Sequence, residues 1–305
     1  METLLTGDGL KLHLRRWPAK LESTSTSTST STSTSTSTST STTAATTAAT
    51  ARGTVQIVHG LGEHMGRYET LAAALNAAGW DVAGHDLRGH GRSEGPRGAI
   101  VGEQTMLVDL GAVTEHLRNT GKGPLVLLGH SLGGLIAARF VAESLMNSAS
   151  RWACDVDGLV LSSPALDTGL GPVRRGLVAL LAAVLPGLPL PNGLKASWIS
   201  RDPAVVRRYR EDPLVHGRVT PQLVQFIVNA GDLVLRRAAR WRTPTLLLWA
   251  GADRCVRPAG SATFARLAPP QTVTAHEFPA LFHEIFNEPE RKAVIQHLTT
   301  WLQRF

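Results

Sequence analysis

Short aliphatic runs alternate along this chain with longer segments whose apolar residues return every three or four positions. The runs are Val55-Gln-Ile-Val-His-Gly60, the stretch opening at Trp80, and residues 125–128, 159–163, 245–249 and 273–278, most of them closed by glycine, proline or a polar turn. Leu125-Val-Leu-Leu128 has no polar alternate positions, which suits a strand covered on both faces in a parallel sheet. Between the runs, Tyr68, Leu71 and Leu75 share one side of a helix, as do Met106, Leu107, Leu110, Val113 and Leu117. A last helix from about Pro289 gathers Val294, Ile295, Leu298, Trp301 and Leu302. Residues 9–17 instead alternate, with Leu10, Leu12 and Leu14 on one face, and predict an edge strand of antiparallel type. Strand-helix alternation of this kind predicts an α/β fold with a mostly parallel central sheet flanked by helices.

Two segments break the alternation. Residues 23–42 are a strict Ser-Thr repeat, continued by threonine and alanine to about Thr50, with no large side chain to bury. Ordering such a tract costs backbone entropy without return, so residues 23–50 are expected to be a disordered insertion in a hairpin loop. From residue 165 to 240 glycine, proline, arginine and apolar runs replace the alternation, and a helical cap or lid over the carboxyl edge of the sheet is expected there. The core then comprises residues 1–22, 51–164 and 241–305. Within the cap, Leu177-Val-Ala-Leu-Leu-Ala-Ala-Val-Leu185 is the most apolar helical stretch of the chain, too short to span a bilayer. It is expected either to be buried in the cap or to meet an apolar surface, with Arg174 and Arg175 beside it.

Composition changes this picture little. The formal charge of +7 is carried by basic residues scattered from Arg92 to Arg291 with no nucleic-acid motif among them, so a generally basic surface is expected rather than a nucleic-acid partner. Cys154 and Cys255 are too few for a disulfide framework and too unlike in setting for a metal site, and both are expected to be buried as small apolar residues. Met1-Glu-Thr-Leu-Leu-Thr-Gly-Asp8 lacks the basic and apolar regions of a secretion signal, and a cytoplasmic location is expected.

The chemistry gathers at strand ends. Gly129-His-Ser-Leu-Gly133 leaves the apolar run 125–128 and enters a helix, the pattern of a tight turn that lifts a serine hydroxyl above the sheet. A Cβ at Gly129 or Gly133 would collide in such a turn, and Ser131 itself is expected in a strained backbone conformation. A serine hydroxyl needs an imidazole to take its proton and the imidazole needs a carboxylate to orient it. His283, beyond the last strand, is the expected base, and Asp253, beyond the strand before it, the orienting acid. His276 is a rival base inside a strand, and Asp212 and Asp232 are rival acids in or near the cap. Gly60-Leu-Gly62 follows an early strand, so Leu61 is the expected oxyanion donor together with Leu132 after the serine. His59 and His64 beside these glycines are expected to hold the loop's shape, and Asp86, Arg88 and His90 to bond within their own loop rather than to a metal.

These residues carry a resemblance. His59-Gly-Leu-Gly-Glu-His64 with Arg67-Tyr68, Asp86-Leu-Arg-Gly-His-Gly-Arg-Ser93, Gly129-His-Ser-Leu-Gly133, Ser163-Pro164, Gly251-Ala-Asp253 and His283-Glu284 together resemble the monoacylglycerol lipase and lysophospholipase group of α/β-hydrolases. The resemblance spans nearly the whole chain except the Ser/Thr tract. It implies an α/β-hydrolase fold and a carboxylic-ester hydrolase acting on monoacylglycerols or similar single-chain lipids, with Ser131, Asp253 and His283 as triad, Leu61 and Leu132 as oxyanion donors, no metal or organic cofactor, and an apolar cap forming the acyl passage; residues 177–185 are then expected to line that passage and touch the lipid interface, with Arg174 and Arg175 meeting anionic head groups. His85 departs from the group, which usually has an aromatic or apolar residue there. A peptidase, an acyltransferase and a non-catalytic module of the same fold are the competing expectations; a dehalogenase or epoxide hydrolase is disfavoured because it uses a carboxylate where Ser131 stands.

Overall fold

A computed structural model describes residues 2–19, 50–146 and 150–305. Six strands come first, β1 (Glu2–Leu5), β2 (Lys11–Trp17), β3 (Thr54–Val58), β4 (Asp81–His85), β5 (Leu125–His130) and β6 (Gly158–Ser162). A short pair, β7 (Leu190–Pro191) and β8 (Arg218–Val219), stands apart, and β9 (Thr245–Ala250) and β10 (Val273–Phe278) complete the main sheet. Its order is β1-β2-β4-β3-β5-β6-β9-β10, antiparallel from β1 through β4 and parallel in every pair beyond. The predicted mostly parallel sheet is therefore present.

Two expectations about its antiparallel end change. Residues 9–17 are not an edge strand, because Glu2–Leu5 pairs outside β2 with Leu4 opposite Leu12. Four residues, Glu-Thr-Leu-Leu, are too few to announce a strand by periodicity. The Ser/Thr tract lies outside the described residues but for its last position, yet the strands on either side of it, β2 and β3, both pair with β4 rather than with each other, so their connection closes no hairpin.

The helices among the described residues are α1 (Glu69–Ala77), α2 (Thr105–Thr120), α3 (Leu132–Ala142), α4 (Pro172–Val184), α5 (Pro203–Glu211), α6 (Pro221–Arg237), α7 (Pro258–Leu267) and α8 (Arg291–Leu302). Central strands divide their side chains between the two faces of the sheet. Leu127, Leu161, Leu247 and Trp249 pack with α2, α3, α6 and α7, while Val126, Leu128, Val160, Leu246 and Leu248 pack with α1 and α8. Both faces being covered explains why the runs are apolar throughout rather than alternating. His85 sits at the end of β4 with no exposure and neither ring nitrogen bonded, and burial pushes its pKa down to about 3. It is a neutral ring filling an apolar position.

The segment 165–240 holds two kinds of helix. Pro221 and the Thr220 hydroxyl, which accepts from the Leu223 N–H, start α6, whose Leu223, Phe226, Ala230 and Val234 join the core beside α3. By contrast α4 buries no residue, and Val173, Leu177, Leu180 and Val184 are exposed. Among the described residues no helix is long and apolar enough to cross a membrane.

Phe226 is 3% exposed against this core, so Phe226→Ala removes a buried ring and leaves a cavity. The expected cost is about 3 to 5 kcal/mol, read from the urea midpoint of a single unfolding transition. A loss below about 1 kcal/mol would mean that α6 is not part of the cooperative core.

Candidate active site

The turn after β5 is built by exclusion. Ser131 has φ 55° and ψ −119°, a left-handed conformation that a side chain rarely adopts. A Cβ on Gly129 would stand 2.4 Å from the Gly133 carbonyl oxygen, and one on Gly133 would stand 2.1 Å from that of Val58. Only glycines let β3, β5 and α3 converge here. The Ser131 N–H donates to the Ser162 carbonyl at 2.9 Å, and its own carbonyl accepts from Leu135 and Ala165 at 3.0 Å. These bonds hold the strained residue from both sides.

The turn after β3 passes close by. A Cβ on Gly60 would lie 3.2 Å from the Ser131 Cβ. His59 Nδ1 donates to the Gly60 carbonyl while its Nε2 accepts from the Leu87 N–H, both at 2.8 Å, and burial lowers its pKa; a neutral imidazole thereby pins the turn. On the far side, the His216 N–H donates to the Gly62 carbonyl at 2.9 Å and His64 Nε2 meets Asp212 Oδ2 at 2.8 Å. Leu61 is thus held between the core and the stretch from Asp212 to His216. Leu132 opens α3, where the first N–H groups have no partner within the helix.

Beyond β9, Asp253 accepts from the N–H groups of Cys255 and Val256 at 2.7 and 3.1 Å through Oδ1, leaving Oδ2 for His283 Nδ1 at 2.6 Å. The side chains of both are nearly inaccessible, at 6% for His283 and 1% for Asp253. Burial alone would push the His283 imidazole down, but the Asp253 carboxylate outweighs it by charge and hydrogen bond, with Glu284 and Glu63 adding, and the pKa is raised. The His283 ring lies against that of His130, the residue before Ser131, with centroids 4.7 Å apart. Burial, and then His283, push His130 down to about 4, so it stays neutral.

Ser131, Leu61 and Leu132 line one cavity of about 190 Å³. Its walls include Val219 of β8, Val224 and Ile227 of α6 and Val256, with Asp167, Thr168 and Asn192 as polar members. No residue of α4 is in that wall, nor are Asp253 and His283.

The chain is similar over residues 49–290 to the family model described as serine aminopeptidase, S33. It belongs to that family. It is 34% identical over 255 residues to a monoacylglycerol lipase of Mycolicibacterium smegmatis, covering 82% of this chain and 88% of the relative. It is 32% identical over 262 residues to the monoglyceride lipase of Rattus norvegicus, covering 82% of each. The crystal structure of Paleococcus ferrophilus monoacylglycerol lipase superposes with a TM-score of 0.76 at 32% identity, covering 95% of this chain and 98% of that one. The fold is that of an α/β-hydrolase, and this S33 member is a hydrolase acting on esters.

The rival residues of this S33 chain are occupied elsewhere. His276 is exposed on β10 and stacks on His297 at 4.2 Å, Asp212 is bonded to His64, and Asp232 accepts from Arg175 at 2.6 Å. Asp86 accepts from the N–H groups of Met65 and Arg92, Arg88 pairs with Asp109 and Asp8, and His90 Nδ1 donates to the Arg88 carbonyl. The cysteines depart from expectation, both being half-buried rather than buried. Cys255 lines the cavity because the turn that caps Asp253 aims it there. Its Sγ, an Asp253 oxygen and a His283 nitrogen lie within 4.8 Å of one another, but burial and then Asp253 push the thiol well up, which opposes the thiolate a metal would need.

Sequence reasoning assigned no role to Glu63, Arg67 and Glu284. Arg67 Nη1 donates to Glu63 and to Glu284 at 2.6 Å, and Nη2 donates to Glu284 at 2.7 Å. The spacing of Glu63 and Arg67 along the chain was the available signal for the first pair. Nothing in the sequence points to the second.

Asp253→Asn leaves burial of the His283 ring unopposed by its nearest carboxylate. The His283 titration midpoint, followed by heteronuclear NMR of the imidazole nitrogens, is expected to fall from its raised value. An unchanged midpoint would show that Asp253 does not control the imidazole.

Proposed function

We propose that this chain is a serine hydrolase of monoacylglycerols or similar single-chain lipid esters, working through Ser131, His283 and Asp253. The observation that carries this reading is a strained serine at an apolar cavity, preceded by His130, whose ring packs on an imidazole whose Nδ1 is fixed to a buried carboxylate. With Nδ1 donating to Asp253, Nε2 is the nitrogen free to accept the Ser131 proton. Ser131 Oγ attacks the acyl carbonyl, and the N–H groups of Leu61 and Leu132 receive the oxyanion. The His283 imidazolium, stabilised by Asp253, protonates the leaving alcohol. Water then enters and attacks the acyl carbon as the same imidazole takes its proton, and the imidazolium returns that proton to Ser131 Oγ as the fatty acid leaves. No step calls for a metal or organic cofactor.

The apolar wall of the cavity suits an acyl chain, each buried methylene contributing about 0.8 kcal/mol. The relatives named monoacylglycerol and monoglyceride lipases support the same substrate class. The exposed row Val173, Leu177, Leu180 and Val184 on α4, next to Arg174, supports peripheral contact with a lipid surface from the cytoplasm.

Ser131→Ala is expected to lose fluorophosphonate labelling and ester turnover while melting near wild type. His283→Gln should cost several orders of magnitude in kcat and His276→Gln less than about threefold. Labelling that survives Ser131→Ala would overturn the nucleophile. A panel of monoacylglycerols, lysophospholipids, soluble esters and peptides then fixes the class.

For the cap, Leu177→Asp with Leu180→Asp is expected to weaken sedimentation with anionic vesicles and to cut turnover of emulsified long-chain monoacylglycerol about tenfold or more. Hydrolysis of p-nitrophenyl acetate should be unchanged. Equal losses on both substrates would place the effect in folding rather than at a lipid surface.

A further inference from the structure

The oxyanion turn and the His283 loop come from opposite ends of the chain, yet three buried side chains join them. Glu63 Oε1 accepts from the Gly60 N–H at 2.7 Å and from the Tyr68 hydroxyl at 2.8 Å, so it holds the residue before Leu61. Its Oε2 is bonded to Arg67, which grips both oxygens of Glu284, the residue after His283. The side chains of Glu63, Arg67 and Glu284 are 5%, 10% and 6% exposed. Tyr209 of α5 closes the outer side, with the Arg67 guanidinium 4.8 Å from its ring centroid.

We infer that Glu63, Arg67 and Glu284 form a brace that sets the oxyanion turn and the His283 loop in one register, and that its two carboxylates are positioning residues for proton transfer at His283. This rests on the triad proposed above. Two carboxylates against one guanidinium leave a surplus negative charge. The void beside them, lined also by His130, is only about 10 Å³, room for a single water at most, so the charge is poorly screened. A buried ion network is a costly way to gain stability alone, since apolar residues of similar volume serve as well or better. Here the surplus charge borders the same void as His130, whose ring packs on that of His283, the one ring that must become cationic during turnover. The other groups around His283 are Asp253 from the loop after β9, Cys255 beside it, and His130 at the end of β5. Asp253 acts in the same direction, whereas His130 and the Cys255 thiol are held neutral by burial.

Glu284→Gln keeps the size of the side chain and one acceptor for Arg67 while removing the charge. His283 then loses a neighbour that favours its imidazolium, and the acid limb of kcat/KM on a soluble ester is expected to move to lower pH. At the pH where wild type retains a tenth of its plateau, the variant should retain at least about threefold more of its own plateau. Its kcat should fall about tenfold with KM unchanged. Glu284→Asp, which keeps the charge but shortens the reach, should lower kcat similarly with the acid limb close to wild type. A merely structural network would lower the melting temperature and leave the limb in place, and an unmoved limb in folded Glu284→Gln overturns the proposal. Should that variant not fold, Glu63→Gln carries the same expectation, and failure of both to fold would make the network a folding element and overturn the proposal too. Wild-type labelling by fluorophosphonate, lost in Ser131→Ala, separates this outcome from failure of the triad itself.

Discussion

The close approach of three backbones at Gly129 and Gly133 is the constraint from which the rest of the site follows. With a Cβ on Gly133 placed 2.1 Å from the Val58 carbonyl oxygen, α3 could not sit against β3, and the turn at Ser131 could not be so sharp. That approach also brings the turn after β3 to within van der Waals reach of Ser131. Leu61 and Leu132 border the same cavity as the serine for this reason, although seventy residues separate Leu61 from Ser131. The strain at Ser131 is sustained because its own N–H and carbonyl are tied into β6 and the loop that follows.

Electrostatics around this turn are arranged by burial as much as by charge. His59, His85, His90 and His130 are all enclosed, and burial lowers the pKa of each. They serve as neutral rings that pin loops or fill space. His283 is equally enclosed but has Asp253 bonded to it and Glu284 beside it in the chain, and its pKa moves the other way. The same side chain therefore becomes inert or basic according to whether a buried carboxylate is hydrogen-bonded to it.

The segment 165–240 meets the core through two different surfaces. α6 is amphipathic and packs its apolar side beside α3, which makes it part of the core as well as a wall of the cavity. α4 is apolar too, yet Leu177 and Leu180 stand exposed on it. Between them, the stretch from Asp212 to Arg218 touches the turn after β3 through His64 and Gly62. These bonds tie residues 212–218 to the turn that carries Leu61.

Periodicity and turn residues by themselves determined the layered α/β architecture, since residues 125–128 and 245–249 admit few readings other than strands covered on both faces. The Gly129-His-Ser-Leu-Gly133 turn was equally legible, because steric demands at such a turn are local and leave glycine as their mark. The pairing of Asp253 with His283 could be read as an order along the chain, but only the tertiary structure decided that Asp212 and Asp232 belong to His64 and Arg175. β1 was missed because four residues carry no periodic signal, and the place of β2 inside the sheet follows from pairing that no local pattern encodes. The contact of Arg67 with Glu284 was invisible for the same reason. Hydrogen bonds between residues 217 positions apart depend on where two loops meet in space, and a single sequence records only that both carry charge.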